Sequence, residues 1–155
     1  MLLNSVLTTN RYIATTHRTS SMFASMFFAI LDSESGRLVY INGGHEQPII
    51  FRAEGSMEML PTTGPVLGLF AAASFTVQET RLGIGDLLLS YTDGVTEAKN
   101  LQGQLYSEEN LLKNADPQIK DPQAFVEDVL QNVRSHCGRA DQFDDITMLA
   151  LRYSG

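Results

Sequence analysis

The chain has 155 residues, of which 43% are hydrophobic and 19% charged, and its formal net charge is −7. This length and composition predict one domain, spanning residues 1–155, that buries its own core. The excess of acids argues against a nucleic-acid partner, because nucleic acids bind to basic faces. The single cysteine, Cys137, excludes an internal disulfide, and no apolar run is long enough for insertion into a membrane. We therefore expect a cytoplasmic protein.

Residues 1–21 are predicted to be a helix and a loop that lead into the core. Apolar residues recur with a loose helical spacing from Met1 to His17. The segment from Thr15 to Ser21 is rich in serine and threonine and has no periodicity, which favours a loop. The core is then expected to occupy residues 22–153.

The first half of the core reads as short strands joined by turns. Asp32–Gly36 has the composition of a tight turn, so the strands on either side of it are predicted to form a hairpin. The predicted strands of this half are Met22–Leu31, Arg37–Ile41, Pro48–Arg52, Met57–Leu60 and Phe75–Arg81.

An apolar strand, Leu87–Tyr91, is followed closely by Asp93 and Gly94. A carboxylate at the tip of a buried strand is a typical ligand of a hard cation such as Mg²⁺ or Mn²⁺. A second acidic segment, Asp144 and Asp145, stands at the start of the last predicted strand, Ile146–Arg152. If the two strands are neighbours, Asp93 and Asp144 converge at one end of the sheet.

Each of these acids also has an interpretation without a metal. Asp-Gly is a common turn dipeptide at strand ends, so Asp93 can be a turn residue. Asp144 and Asp145 can be solvated loop acids or a cap, although two adjacent carboxylates repel each other if both are buried. The residues alone leave both interpretations open.

The second half of the core also contains helices. Ser107 is a predicted cap for a helix from Glu108 to Asn114, and Asp121-Pro122 marks the start of a helix that extends to His136. Together with the antiparallel strands, these helices predict an α+β fold. The apolar stripe of the long helix is expected to consist of Val126, Val129, Leu130 and Val133.

His45 follows two glycines, Gly43 and Gly44, that would let the backbone approach a ligand closely. It is therefore a candidate general acid or substrate-binding residue. A histidine in a polar turn that only satisfies backbone groups is the commoner case.

With these motifs placed, the chain resembles the metal-dependent protein serine/threonine phosphatases of the 2C type, and more closely their bacterial SpoIIE-like branch, which regulates sigma factors. The resemblance runs from about Met22 to Arg152. Its landmarks are Phe28–Asp32 with Gly36–Leu38, Asn42–His45 with Pro48, Pro65–Gly68, Gly85–Ala98 and Asp144–Thr147.

The resemblance implies an antiparallel β-sandwich flanked by helices, with the metal site at one end. It implies that Asp93 and Asp144 ligate Mn²⁺ or Mg²⁺, with the Gly94 carbonyl or Asp145 as a further ligand, and that no catalytic residue is needed beyond the ligands. Water activated by the metal would attack phosphoserine or phosphothreonine directly. The implied partner is a phosphorylated anti-sigma-factor antagonist.

One family motif, Asp-x-x-Gly-[His/Lys]-Gly, has no counterpart in this sequence. It supplies a further metal-ligating acid, so we expect the chain to begin partway through the domain and to be weakly active or inactive alone. The alternative function is that of a catalytically incomplete domain that only binds a partner or itself. Strand edges left open by the missing segment would favour a homodimer.

Overall fold

The structure is a computed structural model that describes residues 1–16, 22–142 and 144–155. The chain divides into two compact units. Unit 1 comprises Met1–Gln47, Met59–Ile84 and Gly155, and unit 2 comprises Pro48–Glu58 and Gly85–Ser154. The described residues form a mixed α+β fold with antiparallel sheets, as predicted. The assignment of one domain to residues 1–155 stays a prediction.

The helices and strands follow the predicted order closely, and their bounds differ mainly at the ends. In chain order they are α1 (Leu2–Thr16), β1 (Met26–Leu31), β2 (Arg37–Gly43), β3 (Ile49–Phe51), β4 (Met57–Met59), β5 (Gln78–Arg81), β6 (Leu87–Tyr91), α2 (Asp93–Thr96), α3 (Ser107–Asn114), α4 (Pro122–Cys137) and β7 (Met148–Arg152).

Unit 1 contains a three-stranded antiparallel sheet in the order β1-β2-β5. The predicted hairpin is confirmed, because Leu31 lies opposite Leu38 and the pairing continues along both strands. The carboxylate of Asp32 accepts hydrogen bonds from the backbone N–H of Ser35 (3.1 Å) and of Glu34 (3.0 Å). These bonds to Ser35 and Glu34 stabilise the ionised form and lower the pKa of Asp32. Asp32 is therefore a turn residue.

Two predicted strands of unit 1 are shorter than expected. β1 begins at Met26, because Ala24 makes only an isolated bridge to Leu67. β5 begins at Gln78, because the preceding residues lie against another segment: the N–H of Thr76 donates to the carbonyl of Thr63 at 2.8 Å. Apolar composition therefore overestimated the length of the first strand, and alternation of side chains overestimated that of the second.

Helix α1 extends through Thr15 and Thr16, which were predicted to be loop. Residues 17–21, the rest of that predicted loop, lie outside the described residues. The helix buries Leu2 and Val6 in the core of unit 1. It also buries a polar residue, Asn10, whose amide donates to the carbonyl of Phe70 and whose oxygen accepts from the N–H of Gly68, both at 2.9 Å. Asn10 thereby holds the segment around Gly68 to the helix.

Unit 2 contains the second antiparallel sheet, with strands in the order β4-β3-β6-β7. Strand β6 is an inner strand, and Leu89 at its centre pairs with Ile49 on one side and Ala150 on the other. Three of its residues, Leu87, Leu89 and Tyr91, belong to the core of this unit. The apolar run at 87–91 is thus buried, as its composition predicts.

Helix α4 begins and ends where the sequence indicates, to within one residue. The Asp121 carboxylate accepts from the N–H of Gln123 at 3.2 Å, and Gly138 donates to the carbonyl of Arg134 at 2.9 Å. The predicted stripe needs a correction, because the helix buries Phe125, Val129 and Val133, whereas Val126 and Leu130 are only half-buried. The buried face follows the i, i+4, i+8 positions that start at Phe125.

Helix α3 includes Ser107, which was predicted to lie just outside it. The Ser107 hydroxyl oxygen accepts from the N–H of Asn110 at 3.4 Å, the capping contact expected of it. The four-residue helix α2 was not assigned from the sequence, because its length is below what periodicity detects.

Two arginines hold the end of unit 2 where strand β6 begins. Arg52 pairs with the buried carboxylate of Asp86 at 2.6 Å and also with Glu58. The Arg152 guanidinium donates to four backbone carbonyls, at 2.6 Å to Gly85 and at 2.7–2.9 Å to the others. These other carbonyls belong to Pro117, Ile119 and Lys120.

We expect Val129→Asp to lower the free energy of unfolding by about 3 kcal/mol or more, because it places an unpaired charge in the core of unit 2. Urea denaturation followed by circular dichroism measures the loss. Gln131→Asp, at an exposed position of the same helix, is the matched control and should change the free energy by less than about 0.5 kcal/mol. Equal effects of the two substitutions would show that Val129 is not a core residue.

We expect Asn10→Ala to destabilise the protein by roughly 2 kcal/mol, because it removes both hydrogen bonds of a fully buried amide, those with the Phe70 carbonyl and the Gly68 N–H. Asn4→Ala, at an exposed position of the same helix, is the control and should be close to neutral. Thermal melts of both variants check this prediction. A melting temperature unchanged by Asn10→Ala would contradict the role assigned to Asn10.

Candidate metal centre

The pairing of β6 with β7 brings the two predicted acidic segments to one edge of the sheet of unit 2. The register pairs Leu87 with Arg152 and Tyr91 with Met148, so the end of one strand meets the start of the other. Asp93 lies just after the first strand, and Asp144 and Asp145 lie just before the second. The predicted neighbourhood of the two strands is therefore confirmed.

Thr92 extends this pairing beyond the last strand residue. Its N–H donates to the carbonyl of Thr147, and its hydroxyl donates to the carbonyl of Asp145 and accepts from the N–H of Thr147, each at 3.0 Å. One side chain thus locks the backbone before Asp93 to the backbone after Asp144. Sequence reasoning missed Thr92, since a threonine at a strand end carries no signal of this role.

Gly94 is buried at the start of helix α2, directly against the same segment. A Cβ atom at this position would overlap the carbonyl oxygen of Asp145 and lie 2.9 Å from its carbonyl carbon. Only glycine therefore allows the turn after Asp93 to approach Asp145 this closely. The Asp-Gly pair is required here by packing as well as by turn formation.

The three acids of this edge are exposed. Asp144 accepts a hydrogen bond from the N–H of Asp145 at 2.7 Å through one of its carboxylate oxygens. Among the described residues, no hydrogen bond or ion pair involves the carboxylate of Asp93 or that of Asp145. Their oxygens can therefore bind a ligand without breaking an internal bond.

These donors fit a hard divalent cation in kind, because Mg²⁺ and Mn²⁺ prefer carboxylate, carbonyl and water oxygens. The number of these donors, however, is smaller than such a cation needs. Within residues 1–16, 22–142 and 144–155, no three histidine, cysteine or acidic side chains are grouped closely enough to hold a metal ion. The edge can supply two or three oxygen ligands, and the remainder would have to be water or other groups.

His45 lies in unit 1, in the loop after β2. Its backbone N–H donates to the side chain of the buried Asn42 at 2.9 Å, and its Nδ1 is 3.2 Å from the hydroxyl of Ser25. The ring is part of a hydrogen-bonded polar turn, which fits the structural interpretation. Its assignment as a substrate-binding residue stays a prediction.

The antiparallel α+β fold is the fold of the type 2C phosphatase-like domains. The chain belongs to one family of that class. Residues 3–154 match the family described as stage II sporulation protein E (SpoIIE).

None of the helices among the described residues is long and apolar enough to cross a lipid bilayer.

Two relatives of known name are similar over most of this chain. Protein IcfG of Synechocystis sp. is 36% identical over 149 residues, which cover 96% of this chain and 24% of IcfG. The phosphoserine phosphatase RsbU of Bacillus subtilis is 26% identical over 141 residues, which cover 86% of this chain and 40% of RsbU. The chain therefore spans well under half the length of either relative.

Solved structures of low sequence identity share the fold. The PP2C phosphatase domain of SpoIIE from Bacillus subtilis, solved with a fragment of its regulatory domain, superposes with a TM-score of 0.77 and 17% identity, covering 98% of this chain and 44% of that one. The catalytic domain of the serine/threonine phosphatase PstP, in complex with two manganese ions, superposes with a TM-score of 0.72 and 15% identity. The superposition covers 100% of this chain and 73% of the PstP chain.

We expect Thr92→Val to destabilise the protein by roughly 1–2 kcal/mol, because it removes both hydrogen bonds of the hydroxyl while keeping the shape of the side chain. Thr92→Ser keeps the hydroxyl and should lower the free energy of unfolding much less. Chemical denaturation of the two variants measures the difference. Equal losses would show that the hydroxyl does not hold the two segments together.

Proposed function

We propose that this chain forms part of the catalytic domain of a metal-dependent protein serine/threonine phosphatase. One observation carries the proposal: Thr92 fixes the segments that present Asp93 and Asp144 to the same edge of the sheet. The family match and the name of RsbU, a phosphoserine phosphatase, support it.

Asp93 and Asp144 are the residues that would hold Mn²⁺ or Mg²⁺, with Asp145 or the Gly94 carbonyl as a weaker further ligand. The manganese ions in the similar PstP structure support this choice of metal. When bound, such a metal lowers the pKa of a coordinated water and orients it toward the phosphoryl group.

The residues of this chain contribute by position. Asp93 and Asp144 are exposed, so a phosphorylated side chain on another protein can reach this edge. Gly94 and Thr92 keep the two segments side by side. Direct attack by a metal-activated water requires no nucleophilic side chain at this edge.

The proposed substrate is a phosphoserine or phosphothreonine on a sigma-factor regulatory protein of the anti-sigma-factor antagonist type. The similarity to RsbU and to SpoIIE supports this assignment. The net charge of −7 does not oppose an anionic substrate, because bound divalent cations reverse the sign of the field at the site.

A second candidate function is binding without catalysis, including self-association into a homodimer. The observation that favours it is the lack of a third grouped ligand among the described residues. The two functions differ in a measurable way, because a binding domain needs neither the metal nor the Asp93 carboxylate.

The test is Mn²⁺ titration calorimetry on the 155-residue chain and on the full-length protein, by which we mean this chain extended by an upstream segment with the acid motif that it lacks. Phosphatase assays on a phosphoserine peptide accompany it. We expect weak binding and slow turnover for the chain alone. In the full-length protein, Asp93→Asn should reduce Mn²⁺-dependent turnover by about a hundredfold or more, since even substitutions around a metal ligand cost 10- to 100-fold.

Glu109→Gln is the matched control, because it also replaces an exposed carboxylate by its amide, and Glu109 lies in α3 and is not assigned as a ligand. It should leave turnover within a few-fold of the unsubstituted protein. An equal loss in both variants would contradict the ligand assignment. If the full-length protein binds the phosphoserine peptide without metal and does not hydrolyse it, the second function is favoured.

A further inference from the structure

A cavity of about 300 Å³ opens beside the acidic edge, entirely within unit 2. Gly94 and Asp144, which belong to the candidate metal centre, form part of its wall. The remainder comes from the segment after α2, the second half of α4 and the loop that leads to β7. The cavity and the metal centre are therefore continuous.

The lining of the cavity is apolar at several positions and polar at others. Ala98 and Val133 are buried, and Leu130 and Ile146 are half-buried, so four aliphatic side chains face the space. Arg134 is exposed and, among the described residues, its guanidinium takes part in no ion pair. A volume of this size is at the lower end of the range for ligand sites, about 300–1,000 Å³, and is ample for one amino-acid side chain.

We propose that this cavity is a specificity subsite that takes an aliphatic side chain of the phosphoprotein substrate, within a few residues of its phosphorylated serine. The proposal rests on the proposed function, because a phosphoryl group at the metal that Asp93 and Asp144 would hold brings the neighbouring substrate residues to the mouth of the cavity. An aliphatic side chain matches Ala98, Leu130, Val133 and Ile146. The Arg134 guanidinium is placed to donate to a backbone carbonyl of the bound segment.

We infer a substrate side chain as the occupant because the cavity is continuous with the acidic edge. A free small molecule would not need to share a wall with the metal ligands, whereas a side chain tethered to the phosphoserine must enter a space close to them. The metal centre and the cavity would also have separate functions. The metal that the acids would hold takes the phosphoryl group, which every substrate shares, and the cavity selects the sequence around it.

Cys137 provides a direct report of occupancy, because it lines the cavity, is half-buried and is the only cysteine of the chain. Its alkylation by iodoacetamide, followed by mass spectrometry, therefore measures access to the cavity without any need for turnover. A side chain seated in the cavity would cover the thiol.

The experiment uses phosphoserine heptapeptides in which one leucine is moved along an otherwise alanine sequence, at millimolar concentration with Mn²⁺ present. We expect a leucine at one position to slow Cys137 alkylation about tenfold, whereas the all-alanine phosphopeptide does not. In the full-length protein the same peptide should have a kcat/KM at least about tenfold higher, the usual discrimination of an apolar pocket.

Leu130→Gln makes the cavity wall polar at a half-buried position and should abolish the leucine-dependent protection. Val126→Gln is the matched control, because Val126 is half-buried on the same helix but does not line the cavity. Thermal melts of both variants establish that they fold. Protection that survives Leu130→Gln, or protection that does not depend on leucine, would overturn the subsite.

Turnover of p-nitrophenyl phosphate, which carries no peptide side chain, separates the subsite from the proposed function. Leucine-dependent protection without turnover of this compound by the full-length protein supports the cavity as a binding site and contradicts the phosphatase activity. Turnover of this compound with no protection by any heptapeptide contradicts the subsite and leaves the phosphatase activity standing.

Discussion

The pairing of β6 with β7 is the interaction on which the candidate site depends. Each strand alone ends in an exposed acidic segment of the kind that occurs in many turns. Pairing in the observed register, extended by the three hydrogen bonds of Thr92, turns two separate segments into one edge. In this register the consecutive leucines of β6, Leu87 to Leu89, are all buried.

Much of this arrangement could be predicted because it depends on local patterns. The apolar run at 87–91, the turn at Asp32 and the proline start of α4 each follow from a few neighbouring residues. The errors occur where tertiary contacts decide. Phe75 is buried outside a strand, and Phe125, rather than Val126, leads the buried face of α4. The burial of Phe75 is not encoded by the spacing of its own segment. Phe125 does share the helical spacing of Val129 and Val133, and packing decides between that stripe and the one that starts at Val126.

The candidate site, like the fold, could be predicted only in part from the sequence. Asp93 and Asp144 were identifiable because acids at strand ends are chemically informative, and the pairing of their strands could be anticipated. The role of Thr92 and the cavity beside Leu130 could not, since they arise from segments far apart in the sequence. The need for glycine at position 94 was predicted as turn chemistry, and its larger cause is the carbonyl of Asp145.

Arg152 holds the opposite end of the β6–β7 pair through four backbone carbonyls. Salt weakens an exposed pair of opposite charges by screening it, and acid neutralises the carboxylate of such a pair. Hydrogen bonds from a guanidinium to carbonyl dipoles act over short distances and contain no group that titrates near neutral pH. This anchor of the sheet should therefore hold across wide changes of ionic strength and acidity.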